Sequence, residues 1–174
     1  MNDIKPHSTF DMRERTPIEL LQMFAAVIDE LKSRGLVRTI NNPVADYTEW
    51  LVTSKLKLTL LGNSKSGCDA TGCDGTKYQI KGRRVSGLAK SIQLSALRNL
   101  PKRPFDFLVA VIYEQNFSIR HALRIPYEVV LEKSTYQAHT NSHLFHVRPS
   151  LLTDTRVEDI GHMLAGEQSS SSGL

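Results

Sequence analysis

The stretch Gly67-Cys-Asp-Ala-Thr-Gly-Cys-Asp-Gly-Thr-Lys-Tyr-Gln-Ile-Lys-Gly-Arg-Arg84 decides how the rest of this 174-residue chain is read. Asp69 begins one strand-like run. Asp74-Gly75 marks a turn, and a second run carries Gln79-Ile80-Lys81. Strand side chains alternate between faces, so Gln79 and Lys81 share one face and Tyr78, Ile80 and Gly82 the other. A carboxylate, a carbonyl-bearing amide and an ammonium gathered at one strand face suggest a hard-metal site with a charge stabiliser beside it.

The turn sets a condition on that grouping. If Asp74-Gly75 is a two-residue loop, Cys73 pairs with Thr76 and Asp69 faces Ile80, on the side away from Lys81. A three-residue loop with Gly75 left-handed and a bulge moves every partner by one, and Asp69 then faces Gln79. A bulge elsewhere in the first run serves equally. The sequence therefore predicts a bulge or an odd-length loop.

Charge is placed unevenly. The net charge is only +4, yet residues 76–104 hold Lys77, Lys81, Arg83, Arg84, Lys90, Arg98, Lys102 and Arg103 with no acid among them. Of 22 basic and 18 acidic residues, that leaves fourteen basic against eighteen acidic elsewhere. A positive field concentrated beside Gln79 and Lys81 fits a phosphate-backbone surface better than a merely solvated face. No apolar run reaches the roughly 18 residues of a membrane span, and the polar N-terminus lacks a signal-peptide core, which predicts a cytoplasmic protein with no membrane partner. Cys68 and Cys73 form one Cys-x4-Cys pair with no second pair, which is no zinc pattern. In a reducing cytosol a disulfide between them is not expected.

Along the chain, residues 1–15 read as a flexible arm and 16–165 as one domain. Thr16-Pro17-Ile18-Glu19 is a helix start, with Thr as cap, Pro in the first turn and Glu three residues on. Ile18, Leu21, Phe24, Ala25, Ile28 and Leu31 form an apolar packing stripe up to a Gly35 cap. A second helix runs from Asn42-Pro43 to about residue 57. In it Glu49 stands among apolar neighbours, with Ala45, Val52 and Thr53 on its side. Buried, such a carboxylate needs a metal, a cation or hydrogen bonds; on a solvated face it needs none. An apolar run at 56–61 and a loop, Gly62-Asn-Ser-Lys-Ser-Gly67, lead into the hairpin.

Beyond the hairpin, Leu88, Ile92, Ala96, Leu97 and Leu100 fit a helix over 86–99. Phe105-Asp-Phe-Leu-Val-Ala-Val-Ile-Tyr113 is a nearly continuous apolar run, the mark of a strand buried on both faces. Gln115-Asn116 makes a turn, 117–125 the next strand, and Pro126 opens a helix from Tyr127 to about Lys133. His139, His143 and His146 match no ligand spacing and sit in strand or loop. Thr153-Asp-Thr155 caps a helix over 156–164. Residues 166–174, with Ser169 to Ser172, read as a disordered tail. The alternation of helices and strands gives an α/β (α+β) fold.

A helix bearing Glu49, then Asp69, then Gln79-Ile80-Lys81 on a strand resembles the PD-(D/E)xK superfamily of restriction-endonuclease-like nucleases, in a QxK variant. The ten-residue step from Asp69 to Gln79 and the element order fit that superfamily over roughly residues 43–125. Gln79 stands where the common form has an acid, and Asp69 follows Gly67-Cys68 rather than a proline. The resemblance implies a restriction-endonuclease-like core, a central mixed β-sheet flanked by helices. It also implies that Asp69 is the main ligand of Mg2+ (or Mn2+), with Glu49, Gln79 and the Ile80 backbone carbonyl completing the shell. Lys81 then orients the attacking water and stabilises charge at phosphorus. Lys77, Arg83, Arg84, Lys90, Arg98, Lys102 and Arg103 hold DNA, whose phosphodiester bonds are hydrolysed, in restriction, defence or repair. Cutting both strands favours a homodimer. The other readings are a catalytically inactive DNA-binding module on the same fold, and a subunit whose basic segment meets an acidic partner.

Overall fold

A computed structural model describes residues 11–62, 67–87 and 91–165. The chain forms two compact units, divided between Pro43 and Val44. The first holds a 3-10 turn, Met12–Glu14, and helix α1, Pro17–Ser33. Thr16 caps α1 as expected: its hydroxyl accepts from the Glu19 amide, and Glu19 accepts from the Thr16 amide at 2.7 Å. Of the apolar stripe, Ile28 is buried while Ile18, Leu21 and Phe24 stay exposed. Helix α1 belongs to this first unit.

The second unit begins with α2 (Val44–Leu56), β1 (Thr59–Leu60), β2 (Ala70–Thr71), β3 (Lys77–Arg84), β4 (Ile92–Gln93), β5 (Phe107–Tyr113) and β6 (Ile119–Pro126). It continues with α3 (Tyr127–Lys133), β7 (Thr135–Gln137), β8 (Ser142–Leu144), β9 (His146–Val147), α4 (Pro149–Leu152), β10 (Glu158–Asp159) and α5 (Gly161–Leu164). The central sheet is six-stranded and mixed, in the order β1-β2-β3-β5-β6-β10. The β3–β5 pair is parallel and its other pairs are antiparallel. Two small ladders, β4–β9 and β7–β8, complete it. The fold is therefore α+β with a mixed sheet and flanking helices.

The sheet is buried on both sides because β5 is apolar on both. Leu108, Ala110 and Ile112 join Leu123 and Ile125 of β6 in a core with Tyr127, Val129 and Val130 of α3, Leu94, Leu97, Phe105 and Phe145. Val109, Val111 and Tyr113 face the other way, with Tyr78 and Ile80, against Val44, Leu51 and Val52 of α2 and Leu164 of α5. Gly82 lets α2 close on β3: a Cβ there would stand 2.1 Å from the Thr48 hydroxyl and 3.1 Å from the Val44 carbonyl.

Two helices differ from expectation: the described part of 86–99 is not helical, and of 156–164 only the end, α5 at Gly161–Leu164, is helical. Over 91–99 the chain is extended: β4 pairs with β9, and Leu97 bridges His143. The apolar residues Ile92 and Leu94 alternate inward with period two, and Pro101 closes the option of a helix running on through Leu100. Over 156–160, Glu158 and Asp159 pair with Arg124 and Leu123 at the sheet edge. Asp154 does not start a helix there. It accepts from the Arg156 amide and guanidinium instead, as Asp side chains do in turns. Residues 1–10 of the arm expected over 1–15, residues 63–66 of the expected loop, Leu88, Lys90 and the tail expected over 166–174 lie outside the described residues.

Candidate active site

The hairpin takes the odd-length form. Ala70 pairs with Tyr78 and Thr71 with Lys77. The Gly72 amide donates to Thr76 at 2.8 Å, and the Gly75 amide to Gly72 at 3.0 Å. The loop is thus Cys73-Asp74-Gly75, with Gly75 left-handed at φ +83°. Such a turn followed by a left-handed residue is the three-residue hairpin solution. Asp74 fixes it by accepting from the Thr76 amide (3.0 Å) and hydroxyl (2.8 Å), bonds that hold its carboxyl below the usual range.

Asp69 lies just before β2, where the ladder is no longer regular: its amide donates to the Tyr78 carbonyl at 2.7 Å, one residue out of the Ala70–Tyr78 register. Its side chain lies beside Gln79. One carboxylate oxygen of Asp69, Oδ2, accepts from the Ile80 amide at 2.7 Å and from the Gln79 side-chain amide. Asp69 and Gln79 are buried and Lys81 is half-buried. All three line a cleft of about 370 Å³, together with Gly67, Ala96, Arg98 and Asn99. Tyr78 and Ile80 point into the opposite core.

Glu49 is half-buried on α2, which covers the Tyr78–Ile80–Gly82 face, and it is not among the described residues lining the cleft. The basic residues also divide. Lys77 and Arg83 share a strand face with Gln79 and Lys81 and are exposed. Arg98 walls the cleft. Arg84 turns to the other face, its guanidinium 4.8 Å from the Phe117 ring centre. Arg103 pairs with Glu128 at 2.8 Å and lies over Tyr127. Lys102 lines a neighbouring pocket.

Ala96 and Asn99 were not legible as wall residues, because the helix expected over 86–99 would have placed them differently. The available signal was Pro101 and Pro104, which argue for irregular chain there. Asn99 takes a left-handed conformation, φ 55°.

The donors in the cleft suit a hard cation. Asp69 supplies a carboxylate. Turning the Gln79 amide over would bring its carbonyl oxygen to Asp69 in place of the nitrogen. Mg2+ is commonly held by one or two carboxylates and keeps several waters, so this small donor set is compatible with it. Among the described residues no three His, Cys, Asp or Glu gather as metal ligands. His139 is exposed, His146 meets Ser91 at 3.2 Å, and His143 is buried. Cys68 is a buried thiol and Cys73 an exposed one, at the hairpin loop, and the two form no disulfide. Among the described residues no helix is long and apolar enough to cross a membrane. Neither the known family models nor the curated proteins include one that this chain matches.

Proposed function

We propose that this chain is a metal-dependent nuclease of the restriction-endonuclease-like type, hydrolysing DNA phosphodiester bonds. The observation that carries this reading is the Asp69 carboxylate bonded to the Gln79 side-chain amide, with Lys81 two residues on along the same face of one cleft. Asp69 and Gln79 would hold the cation, Mg2+ or Mn2+. When bound, such an ion supplies Lewis-acid polarisation of the phosphate and a more acidic water. Lys81 positions the attacking water and offsets the negative charge that grows on the phosphoryl oxygens. Lys77, Arg83 and Arg98 draw the DNA backbone across the cleft mouth. A homodimer would bring one such site to each strand.

The test is plasmid DNA with Mg2+ or Mn2+, comparing the wild type with Asp69→Ala and Lys81→Ala. The wild type is expected to nick and linearise the plasmid, with each variant slowed on the order of a hundredfold or more. Cleavage equal in all three proteins removes the reading.

A catalytically inert DNA-binding module on the same fold is favoured by one observation. With Glu49 outside the cleft lining, one carboxylate serves the site, and the Gln79 amide nitrogen faces it. That reading expects salt-dependent DNA binding, unchanged in Asp69→Ala and without any metal requirement.

A further inference from the structure

Beside the cleft lies a second pocket, of about 480 Å³, lined by Asn99, Pro101, Lys102, Tyr136, Asn141 and His143. That size is within the roughly 300–1,000 Å³ of small-ligand sites. Asn99 borders both cavities. The junction is fixed by the Leu97–His143 bridge, in which the His143 amide donates to Leu97 at 2.8 Å and the Leu97 amide returns the bond at 2.9 Å.

We propose that this pocket receives an unpaired nucleobase of the DNA strand whose phosphate enters the cleft; the proposal rests on the nuclease reading. Tyr136 is 54 % exposed, which leaves an aromatic face open to stacking at the pocket. It is held in place by the His143 ring, 5.2 Å away, and by its hydroxyl, which donates to Asn141 Oδ1 at 3.2 Å. With Oδ1 so engaged, the Asn141 amide nitrogen is turned outward as a donor. The Asn99 amide brings a second donor and acceptor. Paired donor and acceptor groups beside an aromatic face match the edge and plane of a base. Lys102 supplies the cation for the adjoining phosphate. His143, also on the lining, is 91 % buried, and its buried Nδ1 has no hydrogen-bond partner among the described residues. An acidic peptide would use the lysine but not the aromatic face and the two amides together.

The experiment measures binding by fluorescence anisotropy in EDTA, so cleavage plays no part. The probes are a labelled 12-nucleotide single strand, its full duplex, and the same duplex with one unpaired base. The proteins are wild type, Tyr136→Ala and Tyr136→Phe. Tyr136→Ala is expected to weaken binding to the single strand, the bulged duplex or both by about fivefold or more, the scale of one lost base stack, and to change full-duplex binding less than twofold. Tyr136→Phe, which keeps the ring, stays within twofold of wild type throughout. Loss confined to the single strand or to the bulged duplex identifies where the base comes from. Equal loss on all three probes, or no loss on any, overturns the pocket proposal and leaves the nuclease reading standing. Failure of the wild type to bind any probe at low salt removes both.

Discussion

The Asp69 carboxylate reaches β3 beside Gln79, and a single one of its oxygens binds both the Gln79 side-chain amide and the Ile80 backbone amide. The carboxylate is therefore a structural acceptor as well as a candidate ligand. Asp69→Ala leaves the buried Ile80 amide without that acceptor and should cost about 1–3 kcal/mol of stability. Asp69→Asn can keep the bond through its own carbonyl and should cost less. Urea unfolding of the two variants checks the order; equal losses would contradict it.

Replacing the amide by an acid separates the metal reading from a purely structural one. Gln79→Glu puts two carboxylates side by side in a buried cleft, which is unfavourable without a cation between them. The variant should melt below wild type in EDTA and recover in millimolar Mg2+ or Mn2+, as an ion binding only the folded state stabilises it. Thermal shift with and without the ion reads this directly. A variant indifferent to divalent ions would count against the metal site.

Gly82 of β3 leaves no room for a Cβ beneath Thr48 of α2. Gly82→Ala drives a methyl into the Thr48 hydroxyl and towards the Val44 carbonyl, and should cost about 1–3 kcal/mol through overpacking. Thr48→Ala removes the nearer atom, so the double variant should be less damaged than the sum of the single ones. A double-mutant cycle by denaturant melts measures that coupling; strict additivity would show that α2 yields instead.

Acid should loosen the α4 side of the second unit. Asp154 is held well below its ordinary carboxyl value, first by the Arg156 side chain, then by the Arg156 amide and by Lys133. Glu132 is lowered by the same arginine. A depressed carboxylate contributes stability that is complete above the unfolded value, 3.8 for Asp154, and is lost as pH falls through the lower folded value. Asp154→Asn should therefore be less stable than wild type at neutral pH, with the gap closing as the pH falls below about 4. Urea midpoints at neutral and acid pH test the sign, and a gap that widens in acid would reverse it.

Much of the second unit was legible because local rules fix it. Pro126 opens α3, which spans Tyr127–Lys133 as its pattern predicts, and the apolar run at 105–113 is the doubly buried β5. The hairpin could be argued from chain geometry because a one-residue slip turns every side chain over. What was not legible depended on distant partners. Ile92, Leu97 and Leu100 are compatible with a helix or with extended chain, and β9 and the His143 bridge decide it. Glu158 and Asp159 carry no strand signal; the open edge of β6 recruits them.

The sequence by itself determined the hairpin and the common face of Gln79 and Lys81, since strand alternation is a local property; between an odd-length loop and a bulge it left the choice open. It also determined where positive charge is dense. Only the tertiary structure decided what stands around that face. Packing of α2 through Gly82 puts Glu49 on the helix covering the opposite side of the sheet, and the extended 91–99 segment brings Arg98 and Asn99 over the cleft. Those placements follow from which surfaces bury each other across long stretches of chain, and no spacing within one stretch encodes them.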